Sequence, residues 1–380
     1  MTKEELAEYL EELLQKAGHR ITKKVAKAIA KAAKNIEEEG GDIYDTIKLS
    51  RETQKILDEA KAQAERVLAQ EWENVIEHEH DKEALIAAGV AVFALKMNPH
   101  SKHYSPKLEE SVNTGYRNVQ SVLSRSLLDV GYLSVGPVLK RFEAPTTFYN
   151  RVVTDAINDI RSGRKSYEAV VKKAVRDLTR SGLRYADYQS GHTNRIDVAV
   201  SRAVLTEISH IQGDIAMENA QELGTEYFEV DWHAGARPDH QAWQGKVYTM
   251  KELEDVCGLG TATGLKGVNC YHQIFPFIKG ISQRNYTDAW LREQNRKENT
   301  PATFDGKQYT TYEARQKQRE METAMRIQRE KITILKSLGL EQKTDRAKYS
   351  AQRRNYETFS SAMGEKTHYD RVYRDGLGRV

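Results

Sequence analysis

Apolar positions recur at helical spacing over most of the chain. Leu6, Leu10, Leu13, Leu14 and Ala17 follow Thr2-Lys-Glu-Glu5, in which a hydroxyl and a carboxylate three residues apart form a capping box. The same period runs through VAKAIAKAAKNIEEEG and RETQKILDEAKAQAERVLAQEWENVIEHEH, broken once at Gly40-Gly41. A further helix is predicted over about 108–135, ending near Gly131 or Gly136 ahead of Pro137. Helical signal continues over 145–225, and no repeat of fixed period occurs.

The pattern changes at Gly224. In TEYFEVDW the positions alternate, with Phe228, Val230 and Trp232 on one face and Glu229 and Asp231 on the other, as in a half-buried strand. GKVYTM and QIFPFI read as two more short strands around the Gly/Thr loop CGLGTATGLKGVN. A polar stretch with ENTPATFDGK follows and reads as a linker. Thr310 and Glu313 then make a second capping box. Met321, Met325, Ile332 and Leu335 lie on one helical stripe, and Tyr349, Tyr356, Phe359 and Met363 on another. The last segment, THYDRVYRDGLGRV, reads as a docking tail outside any core. The fold class is therefore mainly α. A long helical body (1–224) precedes a small α+β module (about 225–280), a linker (281–309) and a basic helical hairpin with its tail (310–380).

Composition narrows the class. The chain is 30% charged and 39% hydrophobic with 7 prolines, which suits long helices. The net charge of +3 gives no global argument for nucleic acid, but the charge is uneven. Residues 281–380 carry 21 Lys and Arg against 14 Asp and Glu, which points to a polyanionic neighbour of the tail. The longest apolar run, ALIAAGVAVFAL (84–95), is too short to span a bilayer, so no membrane partner is expected. MTKEELAEYL lacks the basic leader and apolar core of a signal peptide. Two cysteines, Cys257 and Cys270, build no disulfide framework and fit a reducing, intracellular setting.

Candidate chemistry concentrates in WHAGARPDHQAWQGKVY (232–248) and GVNCYHQIFPF (267–277). His233, Asp239, His240, Cys257, Cys270 and His272 are all metal-ligand types. Their spacing matches no zinc knuckle, whose ligands fall in tight pairs. Asp239-His240 with Asn269 and His272 superficially follows the order of a His-Asn-His nuclease, but Asn269 and His272 are closer than that pattern uses. A structural reading accounts for the same residues. Trp232, Trp243, Tyr248, Phe275 and Phe277 can build an aromatic core, while Arg237 and Asp239 flank the Pro238 turn. His240 can hydrogen-bond to carbonyls of the Gly-rich loop, and Gly245 and Gly267 serve tight turns. The loop lacks the phosphate-binding arrangement, and no G-x-S-x-G occurs, so no small-molecule substrate is indicated. On the hairpin, Arg326, Arg329, Lys331, Arg353 and Arg354 are candidates for contact with DNA or an acidic partner, against the alternative of a solvated face laced with Glu.

Taken together, these blocks resemble a known family. Arg202 and Glu207 in SRAVLTE, then HAGARPDHQAWQGKVY with its Lys246, then the Gly-rich loop and GVNCYH, then FDGKQYTTYEARQKQREME and a hairpin, resemble the type 2 minor capsid proteins of tailed phages of Gram-positive hosts. These are distantly similar to the phage Mu F-type head morphogenesis proteins. The resemblance covers about 190–380, while earlier residues agree only in helical character. It implies a virion component present in few copies, made in the host cytoplasm and placed near the portal inside the head. Head assembly and DNA packaging or delivery are its implied roles. Portal protein, other head proteins and phage DNA are its implied partners. No enzyme activity and no cofactor are implied for the class. Mu F-type relatives often carry Cys at the position of His272, which keeps His240, Cys270 and His272 open as zinc ligands. Arg237, Asp239, His240, Gly245, Asn269 and His272 are expected to organise a rigid docking module. Two rivals remain open: a metal-dependent nuclease or hydrolase carried in the virion, and a DNA-binding protein of the head interior.

Overall fold

The structure is a computed structural model that describes residues 1–39, 46–91, 105–128, 130–135, 140–161, 164–186, 193–267, 269–378 and 380. Its first two helices are α1 (Lys3–Glu39) and α2 (Thr46–Ala91), followed by α3 (Pro106–Leu128). Strands β1 (Val130–Val135) and β2 (Lys140–Glu143) lead to α4 (Pro145–Arg161) and α5 (Tyr167–Ser181). Strands β3 (Arg184–Ala186) and β4 (Thr193–Arg195) run into α6 (Ile196–Glu222). The architecture is mainly α. Among the described residues no helix is long and apolar enough to cross a membrane.

Helix α6 organises the body. Ile196, Val200, Val204, Ile208, Ile211 and Ile215 recur at three- and four-residue spacing and are all buried, and the intervening Ala199, Gln212 and Gly213 are buried too. Helices α1, α2 and α3 cover it, and α1 also lies against α4 and α5. Gly115 of α3 makes the close approach possible, because a Cβ there would stand 3.0 Å from Ile211 Cδ1. The thin N-terminal capping box predicted at Thr2 is present, with Thr2 N–H donating to Glu5 at 2.8 Å and Glu5 N–H to Thr2 Oγ1 at 3.1 Å.

Two expectations for the body are corrected. The helix predicted over 108–135 stops at Leu128, and 130–135 is a strand. The residues 145–225 read as helical also contain β3 and β4. Together the four strands form an antiparallel sheet in the order β2-β1-β3-β4. Val130 and Tyr132 bury one face, and Tyr132 shares a 3.1 Å hydrogen bond with Thr22 of α1. Gly131 is required where strands meet, since a Cβ would lie 2.3 Å from the Glu143 carbonyl oxygen. Glu143 is buried and is held by Arg151 Nε at 3.0 Å from both carboxylate oxygens. Gly40-Gly41, Gly136 and Pro137 lie outside the described residues. Of the apolar run 84–95, residues 84–91 continue α2 and 92–95 lie outside them.

Beyond α6 come β5 (Tyr227–Val230), α7 (Pro238–Gln241), β6 (Val247–Thr249), α8 (Met250–Asp255) and β7 (Ile274–Phe277). The three strands pair antiparallel in the order β6-β5-β7. Their core continues from Ala216 and Ala220 of α6 through Phe228, Val230, Trp243, Leu253, Leu265 and Ile274. Both faces of β5 are covered, not one. Glu229 is buried because Asn285 donates to it from its backbone N–H at 2.8 Å and its side chain at 2.7 Å. Residues 281–309, read as a linker, therefore include packed structure: α9 (Asp288–Asn299), then the hairpin of β8 (Ala302–Phe304) and β9 (Lys307–Tyr309).

Helices α10 (Thr311–Ser337) and α11 (Lys343–Ala362) form the expected hairpin, and the Thr310–Glu313 capping box is formed. Ile334, Leu335 and Leu340 join the core of the helical body, so the hairpin is inserted in it. The tail is corrected as well. Helix α12 (Tyr369–Tyr373) buries Val372 against Met325, Ile332, Tyr349 and Tyr356. Several cations expected to face a polyanion are turned inward. Arg329 is 1% exposed, binds Asp375 through Nε at 2.7 Å and NH2 at 2.9 Å, and donates to the Gly378 carbonyl at 2.7 Å. Lys331 pairs with Asp345 at 2.7 Å, and Arg326 donates to the Arg371 carbonyl at 2.9 Å. Arg353 is exposed but paired with Glu357 at 3.5 Å, and Arg354 is exposed with no ion pair among the described residues. Replacing Arg329 by Ala strands the Asp375 carboxylate and is expected to cost about 3 kcal/mol. Thermal melting with limited proteolysis checks this: the tail beyond Gly364 should become cleavable, and an unchanged melting temperature would remove Arg329 as its anchor.

Candidate functional site

The two blocks singled out above meet on one side of the three-stranded sheet. Arg237 begins the single turn α7, with Pro238 at its first position, where a missing N–H costs nothing. That turn brings His240, Trp243 and Gln244 against the segment leading into β7. The His272 ring lies 5.2 Å from His240, 4.8 Å from Trp243 and 5.0 Å from His233 between ring centres. The Cys270 sulfur lies 3.5 Å from His272 Nδ1. One ligand atom each from His240, Cys270 and His272 falls within 4.8 Å of the others, and all three residues are buried.

Gln244 fixes the protons. Its Oε1 accepts the backbone N–H of His233 at 3.0 Å, and a backbone N–H can only donate, so the oxygen faces that way. The same oxygen is 2.8 Å from His272 Nε2, which must therefore carry hydrogen. His272 Nδ1 keeps the free lone pair, turned to Cys270. His240 is placed differently: its Nε2 is 3.0 Å from the Thr263 carbonyl, which can only accept, and also meets the Arg237 guanidinium, which can only donate. Arg237 donates to that carbonyl too, so the Gly-rich loop is held from α7 by two groups. Burial pushes His272 down to about 2 and also lowers His240, keeping both rings neutral. His233 differs. Burial pulls it down, but Asp231 at 2.9 Å outweighs this and raises it.

Burial also raises the Cys270 thiol and pushes Cys257 up to about 12, so in the bare protein neither is a nucleophile at neutral pH. The residues of the nuclease-like order are not gathered. Asp239 points to solvent and to Arg237 at 3.4 Å, and Asn269 is exposed, contributing a left-handed turn (φ 59°). Arg202 and Glu207 do not pair. Arg202 lines a cavity of about 260 Å³ with His233, Asn269 and Cys270, while Glu207 accepts from Asn118 at 3.2 Å. Trp232 packs edge-on to Trp290 of α9 at 5.0 Å, and Lys246 donates to the Ala242 carbonyl at 2.7 Å.

Sequence reasoning passed over Gln244 and Glu298. Glu298 of α9 accepts the Gly235 N–H at 2.6 Å and the Gln241 amide at 3.3 Å, tying α9 to the loop before α7. Neither residue belongs to a ligand or catalytic pattern, and Glu298 sat in the segment read as a linker. Gly245 (φ +74°) also depends on α9, since a Cβ there would stand 2.5 Å from Leu291 Cδ2. Gly224 has the same backbone sign (φ +65°) with open space around it. Gly224→Ala is thus expected to cost about 1 kcal/mol from backbone strain alone. Gly245→Ala should cost about 1–3 kcal/mol more from the clash. Denaturant melts of both variants check the difference, and equal losses would remove α9 as the constraint on Gly245.

Comparison with known proteins follows the same blocks. The family described as "Phage minor capsid protein 2" matches residues 2–359. A protein of Lactococcus phage LL-H named "Structural protein" is 23% identical over 157 residues, covering 36% of this chain and 42% of that protein. The match thus spans less than half of that relative's length. No solved structure matches. With a family match running through the helical body, the His-Cys module and most of the hairpin, the chain belongs to the phage minor capsid protein 2 family.

Proposed function

We propose that the chain is a minor structural component of a tailed-phage head, seated near the portal inside the virion and acting in head assembly rather than in catalysis. The family match across residues 2–359 carries this reading. The distribution of apolar surface supports it. Among the described residues, four of the eight large apolar side chains left exposed (Val256, Tyr271, Ile281 and Trp290) fall between 256 and 290. Exposed apolar groups concentrated on one rigid module suit a protein partner. In this reading the module docks on the portal or another head protein.

The hairpin supplies the DNA-facing or portal-facing side, through fewer cations than its composition suggests. Among the described residues of α11, exposed Lys343 and Arg354 and half-exposed Arg346 carry no ion pair and lie on one side of the helix. Such cations can neutralise phosphates at a modest, salt-sensitive affinity.

Two experiments test the reading. Co-expressed with the head proteins of its phage, the wild-type chain should enter heads at a fixed copy number. Tyr271→Ser with Ile281→Ser should stay folded and be left out, and equal incorporation into heads lacking portal would sink the portal placement. Reversing Lys343, Arg346 and Arg354 to Glu touches no buried group. Filter binding to duplex DNA should then lose the steep salt dependence of the wild type, whereas identical binding curves would remove α11 from DNA contact.

A further inference from the structure

We propose that His240, Cys270 and His272 form a zinc site that ties the end of the Gly-rich loop and the segment entering β7 to α7. The three residues come from two separate segments, His240 from α7 and Cys270 with His272 from the stretch entering β7, yet their donor atoms lie within 4.8 Å of one another and all three side chains are buried. Zinc–sulfur and zinc–nitrogen bonds of about 2.3 and 2.0 Å at a tetrahedral angle place sulfur and nitrogen about 3.5 Å apart. Cys270 Sγ and His272 Nδ1 are 3.5 Å apart. With all donors within 4.8 Å, closing the remaining edges to about 3.3–3.5 Å requires an inward movement of at most about 1.5 Å.

The hydrogen bonds around the cluster have the form that metal sites use. A ligating histidine usually donates its other N–H to a carbonyl or carboxylate, which fixes the tautomer. His272 Nε2 donates to Gln244 Oε1 at 2.8 Å, which leaves its Nδ1 unprotonated and turned to Cys270, while His240 Nε2 stands between the Thr263 carbonyl at 3.0 Å and the Arg237 guanidinium. Gln244 is itself held by the His233 N–H, and its Nε2 is buried without a partner, so the amide is oriented for its oxygen alone. His233 is not a ligand because Asp231 holds its Nε2 at 2.9 Å.

Two nitrogens and a sulfur select zinc over magnesium or calcium, which take oxygen. On binding, the Cys270 S–H bond breaks, its proton leaves to solvent and the thiolate pair forms the bond to zinc. Thiolate and dication leave a net single positive charge. Arg237 beside His240 adds little to it, since Asp239 stands 3.4 Å away. Cys270 also lines the 260 Å³ cavity, so a water from that side fills the fourth position.

The test uses the full chain, expressed in zinc-supplemented medium and purified without chelator. Elemental analysis should find about one zinc per chain. After chelation, cobalt(II) should give a thiolate-to-cobalt charge-transfer band that Cys270→Ser abolishes and Cys257→Ser retains. Gln244→Leu should weaken zinc binding about 10–100-fold, and Gln244→Glu, which keeps an acceptor oxygen in place of Oε1, should restore it. Wild-type protein with no bound zinc and no cobalt band overturns the site. So does a cobalt band that survives Cys270→Ser.

Discussion

A helix whose apolar row runs unbroken from Ile196 to Ala220 has to be covered along its whole length, and α6 imposes that demand on this chain. Its first five turns lie in the core of the helical body, and its last two, from Ala216, lie in the core of the small module. One rigid element thus serves two hydrophobic clusters. Strand β7 of the three-stranded sheet packs on α6, and Arg202 of the same helix stands beside the module's cavity. Each buried Ile contributes about 2–3 kcal/mol, so the row from Ile196 to Ile215 outweighs any surface ion pair in the body.

The module uses a different currency. Its apolar cluster is small, and much of its order comes from polar groups withdrawn from water: Glu229 on Asn285, Glu298 on Gly235 and Gln241, Gln244 between two histidines. Such groups are costly when unpaired and highly directional when paired. They fix a single arrangement of loops that hydrophobic contact alone would leave loose. The exposed Tyr271 and Trp290 are presented from this stiff frame, with Trp290 stacked on Tyr286.

The sequence was legible where one side chain pattern reports one environment. The 3.6-residue period located the long helices, the spacing Thr-x-x-Glu located α10, and the alternation in TEYFEVDW located β5. It was silent where the deciding partner is remote. Arg329 looks like any surface cation until Asp375, 46 residues on, closes over it. Glu229 looks like the wet face of a strand until Asn285 covers it. Strands β3 and β4 have three residues each, too few for a period to register. In the site, histidines and cysteine announced themselves by residue type, while Gln244, which decides where their protons sit, carries no such mark.

Arg374 donates to Glu8 at 2.6 Å and to Glu11 at 3.1 Å, a closure across 366 and 363 residues. With Ile334, Leu335 and Leu340 buried in the body, it means that the first helix cannot settle on the ribosome. At about 5–20 residues per second, α1 waits about 20–70 s for its last contacts to be synthesised. Helices α2, α4, α5 and α6 are made earlier and cover its apolar stripe, so what waits is the patch of the body that Ile334, Leu335 and Leu340 cover, and a truncated copy carries a sticky surface that the finished copy has hidden.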